Sequence, residues 1–127
     1  MAKFTIARLA AAAGVGVETV RYYHRQGLMP VPASAGAVRH YGQADVNRLM
    51  FIRSAQRAGF RLSEIAELLT LDSGADRDRI RQLAETRIDH LDVQIATLSA
   101  ARLALSRLVT DCARGESGPC PIIEAFN

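Results

Sequence analysis

A chain of 127 residues has room for one domain with one core, or for two small sub-cores joined by a long helix. Its apolar share of 49% is that of a soluble globular protein. No run approaches the roughly 18 consecutive apolar residues of a membrane-spanning helix, and the opening MAKFTIARLAAAAG, interrupted by Lys3 and Arg8, reads as folded sequence of a cytoplasmic protein and not as a leader. The net charge of +3 is unevenly spread: residues 1 to 60 carry eight basic side chains against two acidic ones, and residues 61 to 127 carry eight against eleven. A basic half joined to an acidic half points to a polyanionic partner for the first half only, because Lys and Arg bind phosphates by displacing condensed counterions.

TIARLAAAAG opens with Thr5, a residue able to cap a helix, runs through Ala and Leu, and stops at Gly14. VETVRYYHRQGL follows as a second short helix ending at Gly27, a residue suited to the left-handed position past a helix C-terminus. Two short helices around Ala-Gly-Val form a helix-turn-helix pattern, whose second member normally enters the major groove. LMPVPASAGAVRHY, with two prolines, a central glycine and a basic, aromatic return, predicts a small β-hairpin or wing.

QADVNRLMFIRSAQRAGF places apolar residues at 46, 49, 50 and 52 and ends at Gly59, and LSEIAELLTL repeats Leu62, Ile65, Leu68 and Leu69 on one face. Ser63 is read as part of the new N-terminus. From Asp76 to Cys112 neither Gly nor Pro occurs, a stretch of 37 residues that makes a helix about 55 Å long at roughly 1.5 Å per residue. Positions 84, 88, 91, 95, 98, 102, 105, 109 and 112 alternate by four and three, and Arg102 is the charged member. That is a coiled-coil seam with one polar break, where Arg102 either sets register or snorkels out. With no second helix of matching length in the chain, homodimerisation is the economical answer.

CARGESGPC then holds the two cysteines of the chain, Cys112 and Cys120. Two cysteines do not make the framework of a small secreted domain, so a reducing compartment and a functional thiol pair are expected. Pro121 suits the first position of a short final helix with Cys120 at its N-cap, where the helix dipole favours thiolate. Soft thiolates select ions such as Cu(I), Hg(II) or Zn(II). High-affinity zinc usually takes four ligands, whereas a two-ligand linear site suits Cu(I), Ag(I), Au(I) and Hg(II). The competing readings are a disulfide, which makes the chain a thiol redox sensor, and idle cysteines. No nucleophile-base constellation, phosphate loop or paired carboxylate set is visible, so no enzyme is expected. Glu64, Glu67, Asp72, Asp76 and Asp78 read as solvated faces and caps.

The motifs AAGVGVETVRYYHRQGL, VRHY, AQRAGFRLSEIAELL and C-x7-C followed by Pro-Ile-Ile together resemble the MerR family of bacterial transcription regulators, in its heavy-metal-sensing branch. The resemblance implies a mainly α fold: a winged helix-turn-helix DNA-binding domain with a helical pair (residues 1–75), a long antiparallel coiled-coil dimerisation helix (76–111), and a C-terminal metal-binding cysteine loop with a short helix (112–127). It implies a homodimer on double-stranded promoter DNA that works with RNA polymerase. Effector binding then distorts a promoter spacer that is too long, a deformation costing on the order of 1–6 kcal/mol. By their places in the family pattern, Thr19, Arg21, Tyr22 and Tyr23 belong to the recognition helix and Arg39 and Tyr41 to the wing. Tyr23 reads equally as a core residue with a wet edge. His24, where many members carry an acid or an amide, is expected to be an exposed helix residue.

The metal ligands implied are Cys112 and Cys120, one ion per chain, and the position facing this loop in the family falls on Arg77. Arginine cannot ligate, so three-thiolate coordination is not expected. Its charge favours the anionic Cu(I) bis-thiolate over the neutral Hg(II) one. A monovalent coinage metal is therefore the expected effector, with Hg(II) or thiol oxidation as the alternatives.

Overall fold

Residues 3–33, 39–115 and 118–126 are described by the computed structural model, and the chain divides into two compact units, Met1–Ala84 and Glu85–Asn127. The first unit holds α1 (Ile6–Ala12), α2 (Val17–Arg25), α3 (Gln43–Arg57), α4 (Leu62–Thr70) and the opening turns of α5 (Arg77–Arg114). The Thr5 hydroxyl accepts from the Arg8 N–H at 3.3 Å and so supplies the cap expected of it. Gly14 (φ 69°) and Gly27 (φ 74°) follow α1 and α2 in the left-handed region, which non-glycine residues enter only at a cost. Each lets the chain reverse immediately, and the first reversal sets α2 across α1.

Periodicity decides the core. Leu9 of α1, Val20 and Tyr23 of α2, Leu49 and Ile52 of α3 and Ile65 of α4 are fully buried together with Leu28, Met29 and Tyr41. Each such side chain contributes about 1.5–3 kcal/mol relative to leaving it in water. Met50, counted with that apolar face in the sequence, is exposed, since the face of α3 turned inward runs 46, 49, 52 and 55. Ser63 lies in the first turn of α4, as expected; the N-cap is Arg61, and Glu64 reaches back to accept the Arg61 N–H at 2.8 Å. A forked pair from Arg79 to Glu67, 2.5 and 2.8 Å, ties the start of α5 to α4.

The tip of the expected wing, residues 34–38, lies outside the described residues. Among those described, the extended pairing is a single antiparallel bridge between Phe4 and Tyr41, and the segments on either side of the tip form no ladder.

In the second unit, α5 continues without interruption to Arg114, and α6 (Pro121–Ala125) follows Cys120. With 38 residues, α5 is about 57 Å long. Ile88, Ile95, Leu98, Leu105 and Val109 are exposed along it, Leu98 to 69%. A row of this length and period is the face that a coiled-coil partner covers, and Arg102 stands exposed within it. No helix among the described residues is long and apolar enough to cross a membrane.

Candidate nucleic-acid interface and metal centre

α2 presents two chemically distinct faces. Val20 and Tyr23 point into the core, while Arg21, Tyr22 and Arg25 stand outward, with Thr19 half-buried between them. Arg21 pairs with Glu18 at 2.5 Å, both well exposed. The Arg25 guanidinium lies 5.9 Å from the Tyr22 ring centroid, within cation–π range. Arg39 is exposed on the segment returning from the wing. Its charge and that of Arg21 both act on His24 of α2.

Two of the three aromatic candidates belong to the core. Tyr23 and Tyr41 are each 1% exposed. The Tyr23 hydroxyl donates to Gln56 Oε1 on α3, and Gln56 also accepts from Arg53 at 3.2 Å. The Tyr41 hydroxyl meets His24 Nε2 at 3.2 Å, with the two rings parallel to within 4°. His24 is thus half-buried and bonded, not the free surface residue expected from sequence. The signal was present: 17, 20 and 24 share a helical face. Burial first, then Arg39 and Arg21, hold the His24 pKa below its ordinary value against the opposite pull of Asp45. Burial raises that of Tyr41.

At the other end of the chain, Cys112 lies in the last turn of α5 and Cys120 is the N-cap of α6, with Pro121 in the first turn. The two sulfurs are 3.3 Å apart, and both cysteines are free. A hydrogen bond from the Cys112 thiol, with those from the Ile123 and Ile122 N–H groups, draws the Cys120 pKa down. The same bond, and the charge it places opposite, push Cys112 up. Of the two, Cys120 is thus the thiol that ionises first and Cys112 the one that holds its proton longer. Backbone donors at α6 were foreseeable from Pro121; the Cys112 donor required the fold. Among the described residues no cluster of three or more His, Cys, Asp or Glu is placed to hold a metal. The donor set is two thiols, which fits a soft ion of low coordination number and does not fit tetrahedral zinc. Arg77 is exposed at the start of α5 and belongs to the first unit.

Residues 4–72 match the family model of MerR helix-turn-helix regulatory proteins, and residues 46–108 match that of the MerR DNA-binding region. The chain belongs to the MerR family. It is 45% identical over 124 residues to the mercuric resistance operon regulatory protein of Serratia marcescens, covering 96% of this chain and 86% of that one. Among solved structures it is similar to the transcription regulator PbrR691 of Ralstonia metallidurans CH34 in complex with lead(II), with a TM-score of 0.71 and 29% identity over 98% and 99% of the two chains. It is also similar to the dual-function regulator MerR of Bacillus megaterium MB1 in complex with mercury(II), with a TM-score of 0.67 and 31% identity over 97% and 98%. The sequence expectations of a MerR-type, mainly helical regulator of the heavy-metal-sensing branch hold.

Proposed function

We propose that this MerR-family chain acts as a homodimer on promoter DNA and activates transcription by RNA polymerase when one soft cation binds Cys112 and Cys120 of a subunit. The observation that carries it is the 3.3 Å approach of two free thiols at the junction of α5 and α6. Thr19, Arg21 and Tyr22 of the recognition helix and Arg39 of the wing read or clamp the DNA. Tyr23 and Tyr41 serve the same surface from beneath, as its core supports, with their hydroxyls bonded to Gln56 and His24. Occupancy favours one conformation of the dimer over another, so the ion acts on an equilibrium more than on DNA affinity.

Hg(II) is the ion we favour, because likeness to the mercuric regulator of Serratia marcescens extends over 96% of the chain. A monovalent coinage metal, preferred on sequence alone, remains the second reading, supported by the two-thiol donor set and by the positive charge of Arg77 if the partner's helix start faces the loop. A linear unit with metal–sulfur bonds of about 2.3 Å spans roughly 4.6 Å between sulfurs, so loading must widen the pair.

The test is anaerobic titration of the reduced full-length protein with Hg(II), Cu(I) and Zn(II), each against a competing small thiol or chelator, followed by transcription from the cognate promoter. Hg(II) binding at one per chain and raising transcript supports the reading. Response to Cu(I) with none to Hg(II) selects the second. Transcription that responds to peroxide without metal overturns both in favour of thiol oxidation.

A further inference from the structure

Tyr41 stands where three elements meet. Its backbone pairs with Phe4 in both directions, at 2.8 and 2.7 Å. The next residue, Gly42, begins α3, and its N–H donates to Asp45 Oδ2 at 2.8 Å. Its hydroxyl reaches across to α2 and His24. The side-chain link between the recognition helix and the segment emerging from the wing is therefore His24–Tyr41, and Arg39 stands two residues before that anchor.

Taking the DNA-reading assignment above as given, we propose that His24 is a positioning residue: as a neutral imidazole it accepts the Tyr41 hydroxyl proton and holds Arg39 in register with Arg21, so that operator recognition weakens when the ring is protonated. A buried hydroxyl needs an acceptor for its hydrogen. Neutral imidazole with its proton on Nδ1 offers Nε2 for this, whereas imidazolium carries two N–H donors and no acceptor. Protonation thus leaves the Tyr41 hydrogen without a place inside the core, the costly side of hydrogen-bond energetics. The charged and titratable groups facing the ring are Arg21 from its own helix, Arg39 and Tyr41 from the wing's return, and Asp45 from α3. A third positive charge between the two arginines adds repulsion. Burial and both arginines already favour the neutral ring. A DNA phosphate in direct contact with His24 would act with the opposite sign, which makes the two roles separable.

The experiment measures affinity of the full-length protein from about pH 5.5 to 8 at constant ionic strength. The probes are a duplex selected in vitro against this protein and a scrambled duplex. Operator affinity should fall about three- to tenfold below the ordinary histidine pKa of about 6.5, with the scrambled duplex little affected. His24→Gln, whose amide oxygen accepts without titrating, should restore the neutral-pH affinity and flatten the profile. Tyr41→Phe, which keeps the ring and its packing, should flatten the profile at a lower affinity. His40→Gln, on the same segment, should retain the wild-type profile. In the free protein, NMR titration should show the His24 pKa rising in Tyr41→Phe, since a donor to the neutral ring has been removed. A wild-type profile that is flat, or that tightens in acid with a salt dependence steeper by about one phosphate contact, overturns the proposal. So does a His24 pKa that falls in Tyr41→Phe. If no duplex is selected at all, the DNA reading itself fails, while the NMR result still decides the His24–Tyr41 link.

Discussion

The Cys112 sulfur lies 3.3 Å from that of Cys120, with the pKa of Cys120 drawn down by the hydrogen bond between them and that of Cys112 pushed up. Metal binding needs both sulfurs deprotonated, so loading releases whatever protons they hold and is opposed by acid. The sign follows from Cys112: its raised pKa keeps the proton in place through neutral pH, so apparent affinity rises with pH until that thiol ionises. Calorimetry with Hg(II) in buffers of different ionisation enthalpy should show that loading releases protons from the pair. Either Cys112→Ser or Cys120→Ser should abolish the thiolate-to-metal absorption band. Retention of a stoichiometric site in both variants removes these residues from metal binding.

Arg21 is held by Glu18 on an exposed face. Such surface pairs contribute little to stability, about 0–1 kcal/mol, so the pair's consequence is for DNA and not for folding. Arg21→Ala should weaken operator binding and lower the salt slope by about one contact if the residue clamps a phosphate. It should instead relax base preference, by about 1–3 kcal/mol at one position, if it reads guanine. Glu18→Gln frees the guanidinium and should tighten binding with the melting temperature unchanged. Unaltered binding in Arg21→Ala would place the recognition surface elsewhere.

How far the sequence revealed this molecule differs from element to element, for physical reasons. α1, α2 and their turn were readable because each boundary is set locally, by Thr5, Gly14 and Gly27 acting on their own backbone. The long helix was readable because nothing between residues 76 and 112 breaks it; α5 runs from Arg77 to Arg114, a boundary difference of one or two residues. Cys120 and Pro121 stand where their chemistry places them. What escaped is set by contacts far apart in sequence: Tyr23 with Gln56 is a separation of 33 residues, and Tyr41 with His24 one of 17. For Tyr23 the sequence left a DNA contact and a core ring with a wet edge equally open, and the packing of α3 decides for the core.

The exposed row on α5 predicts its own failure mode. Leu98 is 69% exposed in the single chain and sits near the middle of the seam. In a homodimer one substitution acts twice, and each side chain accounts for about 1.5–3 kcal/mol of burial, with a further cost when an ionised group enters an apolar interface. Leu98→Glu should therefore dissociate the dimer at micromolar concentration, as read by analytical ultracentrifugation, and lower helicity, because the long helix loses its partner. Arg102→Glu, already on an exposed charged position, should perturb assembly less. A Leu98→Glu protein that still sediments as the wild-type dimer would show that this face is not the interface.

Gly27 carries φ 74° at the reversal after α2, and a Cβ built there meets nothing within 4 Å. The penalty for Gly27→Ala is therefore purely conformational, about 1–2 kcal/mol for an L-residue in the left-handed region. Gly42, at φ −98° with equally open space, is the matched control. There alanine adopts the native backbone without strain and reduces the entropy of the unfolded chain, an expected gain of about 0.4–1 kcal/mol, offset in part because Gly42 is an N-cap, where alanine is a poorer residue. Melting of the two variants at one protein concentration, needed because subunit association couples to stability, should move Gly27→Ala down by several degrees and leave Gly42→Ala close to wild type. Since Gly27 fixes where the chain leaves α2, the first variant should also weaken operator binding while its metal stoichiometry stays intact. Equal melting temperatures for the two would mean that the turn after α2 relaxes to a right-handed form without disturbing Leu28 and Met29, the core residues that follow it.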